Sequence, residues 1–235
     1  MAESQDHRIH SSYRAARDFV DPRREPYTTR GPSLTLKRRI MQASNDIAFK
    51  EWAVICDALG SGRQTLILRK GGIHEGRDGF RVAHPEFWLF PTYLHESEGS
   101  ERVIEAARGD LARVSADRPE PGWLRIGLYA VVTDVHEVRD QTTLPRLAGT
   151  HIWSERSVDE KFHYRQPGLF ALTVRIYRRE EPLLIPESPH FAGCRSWVDL
   201  PQPFPTAGLH AVLDESAFAS QRQAIAHALQ RSVNA

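Results

Sequence analysis

The residues best suited to chemistry lie between Lys50 and His95. This stretch mixes cations, carboxylates, imidazoles and aromatic rings around the paired glycines Gly71 and Gly72. Core packing does not require such a mixture, because buried helices and strands favour apolar side chains and few ionisable ones. The composition therefore predicts a binding or reaction surface.

Four cations surround the glycine pair and suit an anionic ligand. Arg69 and Lys70 come directly before it, and Arg77 and Arg81 follow within twelve residues. A glycine turn lets backbone amides approach an anion, and nearby cations can complete a phosphate site. A hairpin end with solvated charges is the alternative. We take Arg69, Lys70 and Arg81 as candidate phosphate ligands.

Glu51, His84, Glu86 and His95 are the candidate catalytic residues of the same stretch. Imidazole and carboxylate groups suit zinc, manganese or iron, and they also suit acid–base catalysis. Their spacing matches no metal motif, so we expect neither a metal nor another cofactor. The competing interpretation is structural, with imidazoles hydrogen-bonded beside an aromatic core.

A second group of candidates comes later in the chain. Trp153 and Trp197 could flank a base, and a stacked base contributes roughly 1–3 kcal/mol. Arg195 and Ser196, in the loop before Trp197, could contact a base edge or a phosphate. Core packing is the alternative for both tryptophans. Cys194 lacks an identifiable base, and we expect it to be a buried structural thiol.

Composition limits the function classes. The chain has 235 residues, 40% hydrophobic and 26% charged, which is ordinary for a globular protein. A net charge of +1 argues against a protein that coats nucleic acid, although a local basic patch remains compatible with it. Only four cations are lysines, against 27 arginines. Arginine suits phosphate and base contacts, but a GC-rich genome would also produce this ratio.

The two cysteines, Cys56 and Cys194, are far apart and do not form a metal-binding pair. So few thiols indicate a reducing compartment. No apolar run approaches 18 residues, and the first residues lack the apolar region of a secretion signal. We therefore expect a cytoplasmic protein without a membrane partner.

The chain divides into a basic extension, residues 1–40, and a single domain, residues 41–235. The extension holds nine Lys or Arg and five Asp or Glu, with no sustained apolar period before Leu34. Such a segment buries too little apolar surface to offset its ordering entropy, so we expect it to be flexible. Met41 could be the natural start, because the ordered pattern begins just after it.

The domain reads as a mixture of strands and helices without repeats. Residues 52–69 predict a hairpin around Gly60-Ser61-Gly62, with a helix as the competitor for the first run. Elsewhere we predict strands at 124–135, 169–177 and 183–185, and helices at 101–115, 154–162 and 214–231. The second helix would be capped by Ser157, with Glu160 in a capping box, and the third by Asp214. Strands followed by helices, rather than alternating with them, indicate an α+β domain.

Several motifs together resemble the domain of unknown function 1802 family of prokaryotic proteins. They are Lys50-Glu-Trp-Ala53, Leu68-Arg-Lys-Gly-Gly-Ile73, the Phe-Arg-Val-x-His-x-Glu-Phe-x-Leu-Phe-Pro-Thr pattern at 80–92 and Gly193-Cys-Arg-Ser-Trp197. The resemblance runs from about residue 45 to residue 230. It implies no activity, but it does imply a link to restriction-modification systems and a possible nuclease partner.

A second resemblance is to PUA-like domains, including the ASCH and EVE groups, whose small barrels bind RNA, nucleotides or modified bases. It lies in Tyr129–Val135 and Leu172–Pro182. Of the ASCH pattern Gly-x-Lys-x-x-Glu-x-Arg laid over residues 62–69, Gly62 and Arg69 match, whereas Gln64 and Ile67 replace the lysine and the glutamate. The resemblance implies one compact domain, with a mixed or antiparallel barrel or curved sheet flanked by helices.

The sequence thus favours a PUA-like domain that binds nucleic acid or a modified nucleotide. A hydrolase that acts on a nucleotide, with or without metal, is one alternative, and a protein-interaction module is another. A restriction nuclease would need Glu-x-Lys or Asp-x-Lys on a strand. Only Asp159-Glu160-Lys161 fits that pattern, and it lies in a predicted helix.

Overall fold

The structure is a computed structural model that describes residues 33–35, 41–70, 74–76, 79–81, 84–93, 96–193 and 195–230. Within these ranges the strands are β1 (Ser33–Thr35), β2 (Ser44–Trp52), β3 (Leu66–Arg69), β4 (His74–Gly76), β5 (Gly79–Arg81), β6 (Glu86–Thr92), β7 (Trp123–Val138), β8 (Leu169–Pro186), β9 (Trp197–Pro205) and β10 (His210–Ala211). The α-helices are α1 (Ala53–Gly60), α2 (Arg108–Ala116), α3 (Glu155–His163) and α4 (Glu215–Leu229).

Eight strands form one sheet in the order β10-β8-β7-β6-β2-β9, with β1 paired to β7 and β3 paired to β8. Its pairs are antiparallel except β2 with β6, which run parallel. Strands β4 and β5 form a separate hairpin. In the described ranges the sheet ends at β10 and β9, so it is open. The predicted α+β domain with a mixed sheet and flanking helices is confirmed. Of the two predicted forms, a barrel or a sheet, the structure has the open sheet.

The core occupies both faces of the sheet, and β6 shows why. Successive side chains of a strand point to opposite faces. Phe87 and Leu89 accordingly join the larger buried cluster, on the side of α1, α3 and α4, whereas Trp88 and Phe90 join the smaller one. A strand covered on both faces needs a continuous apolar run, which Phe87–Phe90 provides.

The predicted hairpin at 52–69 is wrong in its first half. Residues 53–60 form α1, the competing prediction, and only Leu66–Arg69 is a strand. In α1 every residue but Asp57 is buried, so the helix has no polar face and its sequence shows no helical period. Gly62 ends it in the left-handed region at φ 73°, and its N–H donates to the Leu59 carbonyl.

The predicted strands at 169–177 and 183–185 are parts of one strand, β8. It pairs with β7 along its length, and the register shifts between Ile126 and Leu128. Pro182 lies inside β8 at this irregularity, where a Cβ on Gly127 would come within 3.4 Å of it. A proline cannot donate to the ladder, so a bulge is where a strand accommodates one.

The predicted helices are confirmed in place, with corrected ends. Asp214 caps α4 as expected, since its side chain accepts from the Ala217 N–H. Helix α3 is capped by Ser154 rather than Ser157, because Ser154 Oγ accepts from the Ser157 N–H. Helix α2 is shorter than the predicted 101–115 and starts at Arg108, after a short 3₁₀ turn.

The expected flexible extension lies largely outside the described residues. From residues 1–40 the structure describes only Ser33–Thr35, which pairs with Asp134–His136 of β7. In the part of the chain that is described, every helix is too short or too polar to span a bilayer.

Candidate functional site

Arg69, at the end of β3, is the centre of the site. Its Nη2 donates to Ser196 Oγ over 2.6 Å, and its Nη1 lies 3.7 Å from Glu51 Oε2. The guanidinium also sits over the Phe49 ring, 4.5 Å from its centroid. One arginine thus joins β3, β2 and the loop before β9, a task that suits its planar fork of donors.

Glu51 is placed by the junction of β2 and α1. Its side chain is only 3% exposed, and its Oε1 accepts from the Trp52 N–H at 2.9 Å. A carboxylate just before a helix gains from the partial positive charge of the helix N-terminus. Glu51 is therefore a fixed buried acceptor that faces Arg69.

Lys161 enters the site from the last turn of α3. Its Nζ lies over the Trp153 ring, 4.2 Å from the centroid. Burial lowers the pKa of Lys161; the carboxylate of Glu51 opposes this shift, whereas Arg69 and Arg102 reinforce it. As a whole residue, Lys161 is partly exposed.

Trp197 packs against Phe49, the same ring that the Arg69 guanidinium covers. Its ring packs 4.6 Å from that of Phe49 and 5.0 Å from that of Phe87, centroid to centroid. His84 meets it edge-on at 4.8 Å. The preceding residue, Ser196, is held in place because its carbonyl oxygen accepts from the Lys50 N–H at 2.8 Å.

These contacts define the Arg69 cluster, which consists of Phe49, Glu51, Arg69, Trp153, Lys161, Ser196 and Trp197. It brings together five of the predicted site residues, which come from distant parts of the chain. They are the cation Arg69, its partner carboxylate Glu51, the hydroxyl of Ser196, and the two tryptophans Trp153 and Trp197. Such a set can bind an anion with an attached ring.

Lys70 does not face this cluster. Its Nζ donates to the carbonyl oxygens of Phe162 and Gly168, at 2.7 and 2.6 Å, and to that of Gln166. Burial lowers the pKa of Lys70. Lys70 therefore fixes the end of α3, the helix that carries Lys161.

Glu86 lies on the opposite face of the sheet from Glu51. Its Oε2 accepts from Tyr129 Oη at 2.9 Å and from the Gln42 N–H at 3.0 Å. The Asn45 amide donates to the Glu86 carbonyl and to Tyr129 Oη. Glu86 thus belongs to a buried hydrogen-bond network beside the smaller core cluster, and the structure does not bring it to Glu51.

The other predicted residues are divided. His84 reaches the edge of the cluster through Trp197, and Arg195 is exposed, with its Nη2 3.5 Å from the His190 carbonyl oxygen. The backbone of Arg81 lies in β5, which pairs with β4 in a hairpin separate from the main sheet. His95, Cys194 and the Gly71-Gly72 pair lie outside the described residues. In the ranges that the structure covers, no three His, Cys, Asp or Glu side chains group as metal ligands.

Phe49 and Lys161 are the two members of the cluster that the sequence did not indicate, and the ionisable one is Lys161. It lies in the polar run Asp159-Glu160-Lys161, whose helical setting argues against a nuclease. No local sequence pattern marks Lys161, because its place in the cluster depends on how α3 packs against the rest of the chain.

A groove lies elsewhere, between the sheet and α4. It holds about 380 Å³ and is lined in part by Asp134, His136 and Thr173. Arg222 crosses it, with Nε 2.6 Å and Nη2 2.8 Å from the two Asp134 carboxylate oxygens. In this groove the charges of Arg222 and Asp134 therefore neutralise each other. The Arg69 cluster is the better candidate for a ligand site.

Comparison with known proteins yields a family and a distant likeness. A family model described as a domain of unknown function (DUF1802) matches residues 48–224. No curated protein matches this chain.

Among solved structures, that of ASCH from Zymomonas mobilis is similar at 11% identity and a TM-score of 0.38, covering 79% of this chain and 96% of that one. A point mutant of the same protein has 14% identity and a TM-score of 0.39, covering 66% and 88%. At these TM-scores the likeness says nothing of activity.

Proposed function

We propose that this chain, which belongs to the domain of unknown function 1802 family, binds a nucleic acid or a modified nucleotide through the Arg69 cluster. The observation that carries the proposal is the meeting of Arg69, Ser196 and Trp197 around one point. These residues come from β3 and from the start of β9, and a hydrogen bond of 2.6 Å joins the first two.

The local charge favours an anion. Within the cluster two cations, Arg69 and Lys161, face a single carboxylate, Glu51. The neighbouring Arg102 is paired with Glu160 at 3.2 Å and adds no net charge. A local excess of positive charge attracts phosphates even when the whole protein is nearly neutral.

The geometry of Arg69 suits a phosphate. Its guanidinium is held by a hydroxyl on one side and a carboxylate on the other, so its direction is fixed before a ligand arrives. The Ser196 hydroxyl accepts from Arg69 and keeps its own proton for an incoming oxygen. Preorganised donors lose less entropy when they bind, which strengthens binding.

Trp197 supports a ring beside that phosphate. It is partly buried against Phe49 and Phe87. Its remaining exposed part could contact a base. Trp153 is less suited to this role, because it is 2% exposed and Lys161 covers one face of its ring.

The finer aspects of the proposal are a modified base as the preferred ligand, a place in restriction-modification and a nuclease partner. The support for these aspects is what the family resemblances of the sequence imply. The hydrolase alternative through Glu51, His84, Glu86 and His95 has less support, since Glu51 and Glu86 face opposite sides of the sheet.

The test is titration of plain and base-modified oligonucleotides, single- and double-stranded, at increasing salt. Binding should weaken as salt rises. Arg69→Met should weaken it roughly tenfold, equivalent to ~1.4 kcal/mol. The matched control is Arg125→Met, which removes an arginine paired with Asp117 outside the cluster and should leave affinity unchanged. Absence of salt-dependent binding to every oligonucleotide would refute the proposal.

A further inference from the structure

We propose that the loop after α3 is a second stacking platform, and that the ligand is a single strand of nucleic acid that contacts this loop and the Arg69 cluster together. The Tyr164 loop consists of residues 164–168, between α3 and β8. One base stacks on Tyr164, while a neighbouring nucleotide is held by Arg69 and Trp197. The inference rests on the proposed function, because it extends the ligand bound at the Arg69 cluster.

Tyr164 presents an aromatic ring to solvent. It is 57% exposed, the highest value for an aromatic side chain in the described ranges, whereas Phe162, two residues earlier, is buried in the core. Every base has a flat face, so an exposed ring can stack with a base of any sequence. Tyr164 is therefore free to serve as a platform.

Arg165 adds a cation to the platform. Its Cζ lies 5.2 Å from the centroid of the Tyr164 ring, and it forms no ion pair with any residue that the structure describes. The carboxylates of α3 that precede it, Asp159 and Glu160, have partners of their own. An aromatic ring for a base beside a cation for the backbone is the combination by which proteins bind single strands.

The backbone of Arg165 supports a functional role. Its φ is 64°, in the left-handed region, where a residue with a β-carbon is uncommon and carries a cost. Residues in such conformations collect at ligand-binding sites, where the surrounding structure holds them in place. This conformation sets the guanidinium beside the Tyr164 ring.

Lys70 fixes the Tyr164 loop beside Arg69. Lys70 follows Arg69 in the chain, and its Nζ donates to the carbonyl oxygens of Phe162 at 2.7 Å, of Gly168 at 2.6 Å and of Gln166. The loop is thus bonded, at its start and at its end, to the residue next to Arg69. Tyr164 is two residues beyond Phe162, a span of at most ~7 Å.

Two platforms favour a single strand over a duplex and over a free nucleotide. In a duplex each base is stacked between its neighbours, so its face is not available to Tyr164. A mononucleotide can occupy the Arg69 cluster but has no second base for the loop. Affinity should therefore rise when a nucleotide is extended to a strand.

The experiment titrates the full chain with mononucleotides, with a single strand of about ten nucleotides and with the matched duplex. The strand should bind roughly tenfold more tightly than the other two. Tyr164→Leu should weaken strand binding at least about fivefold and leave mononucleotide binding unchanged. Tyr164→Phe keeps the ring and should keep the affinity. The matched control is Trp123→Leu, which removes an exposed ring of β7 and should change neither affinity.

Arg165→Gly tests the cation separately. The dependence of strand affinity on salt should become less steep by about 0.7 on logarithmic axes, because one phosphate contact is lost. Glycine adopts a φ of 64° freely, so the fold should keep its stability. An unchanged salt dependence would contradict the role of Arg165.

The outcomes separate the two proposals. Unchanged strand affinity in Tyr164→Leu, or a mononucleotide or duplex that binds as tightly as the strand, overturns the inference. The proposed function then stands if Arg69→Met still weakens binding. If no probe binds, both fail. Ultraviolet crosslinking of the wild-type chain to a strand that carries bromodeoxyuridine should label Tyr164, and labelling only elsewhere overturns the inference without need of a variant.

Discussion

Arg69 donates a hydrogen bond to Ser196 across 127 positions of sequence. The bond ties the end of β3 to the loop before β9, strands that do not pair with each other. Its donor is charged and its acceptor is partly buried, which places it among the stronger hydrogen bonds of a protein. The contact therefore supports both the local fold and the proposed ligand site.

Ser196→Ala should lower the free energy of unfolding by about 1 kcal/mol, because Arg69 loses its hydroxyl acceptor. Chemical denaturation of Ser196→Ala, Arg69→Met and the double variant measures the coupling, expected at about 1 kcal/mol. Ser220→Ala, at an exposed position of α4, is the control and should change stability by less than ~0.5 kcal/mol. Strict additivity of the two substitutions would contradict the contact.

Glu86→Gln should destabilise the fold by roughly 1–3 kcal/mol without changing ligand affinity. Glu86 is buried and accepts from Tyr129 Oη and the Gln42 N–H, so the amide would leave this network partly unsatisfied. Tyr129→Phe removes one of these donors and should destabilise less. Denaturation together with oligonucleotide titration is the measurement. Unchanged stability with lost binding or turnover would restore Glu86 as a functional residue.

Stability should fall as pH drops from about 6.5 to 4, in part through His151. Burial lowers the pKa of His151 from 6.5 to about 4 in the folded chain. Between these values the unfolded chain binds more protons, so the free energy of unfolding rises with pH. The contribution, about 3 kcal/mol, is complete above pH 6.5 and lost towards pH 4.

Denaturation curves at several pH values check this, with His151→Gln as the test variant. The substitution should flatten the dependence between pH 4 and 6.5. The exposed His190 serves as the control, and His190→Gln should keep the wild-type slope. An equal slope in both variants would mean that another group titrates.

Lys70→Met should destabilise the chain by roughly 1–3 kcal/mol, since three carbonyl oxygens at the end of α3 lose their donor. Lys70→Arg keeps donors there and should recover part of the loss. Thermal or chemical denaturation measures the stability of both variants against the wild-type chain. If Lys70→Met instead leaves stability unchanged and weakens oligonucleotide binding tenfold, Lys70 is the phosphate ligand that the sequence predicts.

Elements with one buried face could be predicted from the sequence. Val174 and Ile176 alternate with Arg175 in β8, and Asp214 marks the start of α4. Helix α1 could not, because burial on nearly every side removes the period that identifies a helix. The prolines near residue 182 suggested a strand end, yet a bulge keeps Pro182 inside β8.

The site could be predicted from the sequence only where the type and the position of a residue indicate a binding role. Arg69, Ser196 and Trp197 lie within four residues of a glycine, in a loop or at a strand end, where functional residues are common. The separation of Glu51 from Glu86 depends on which face each strand turns to the helices, and this follows from the pairing of β2 with β6. The position of Lys161 in the cluster depends on how α3 packs against the domain, and a local sequence pattern does not reveal this packing.

The long separation within the Arg69 cluster has a consequence for the chain during its synthesis. Phe49, Glu51 and Arg69 leave the ribosome early, but Trp197 and Ser196, which complete the cluster, follow much later. At about 5–20 residues per second, several seconds pass before the pieces can meet. A nascent chain therefore lacks a complete Arg69 cluster, and under the proposed function it would not capture nucleic acid near the ribosome before β9 has emerged.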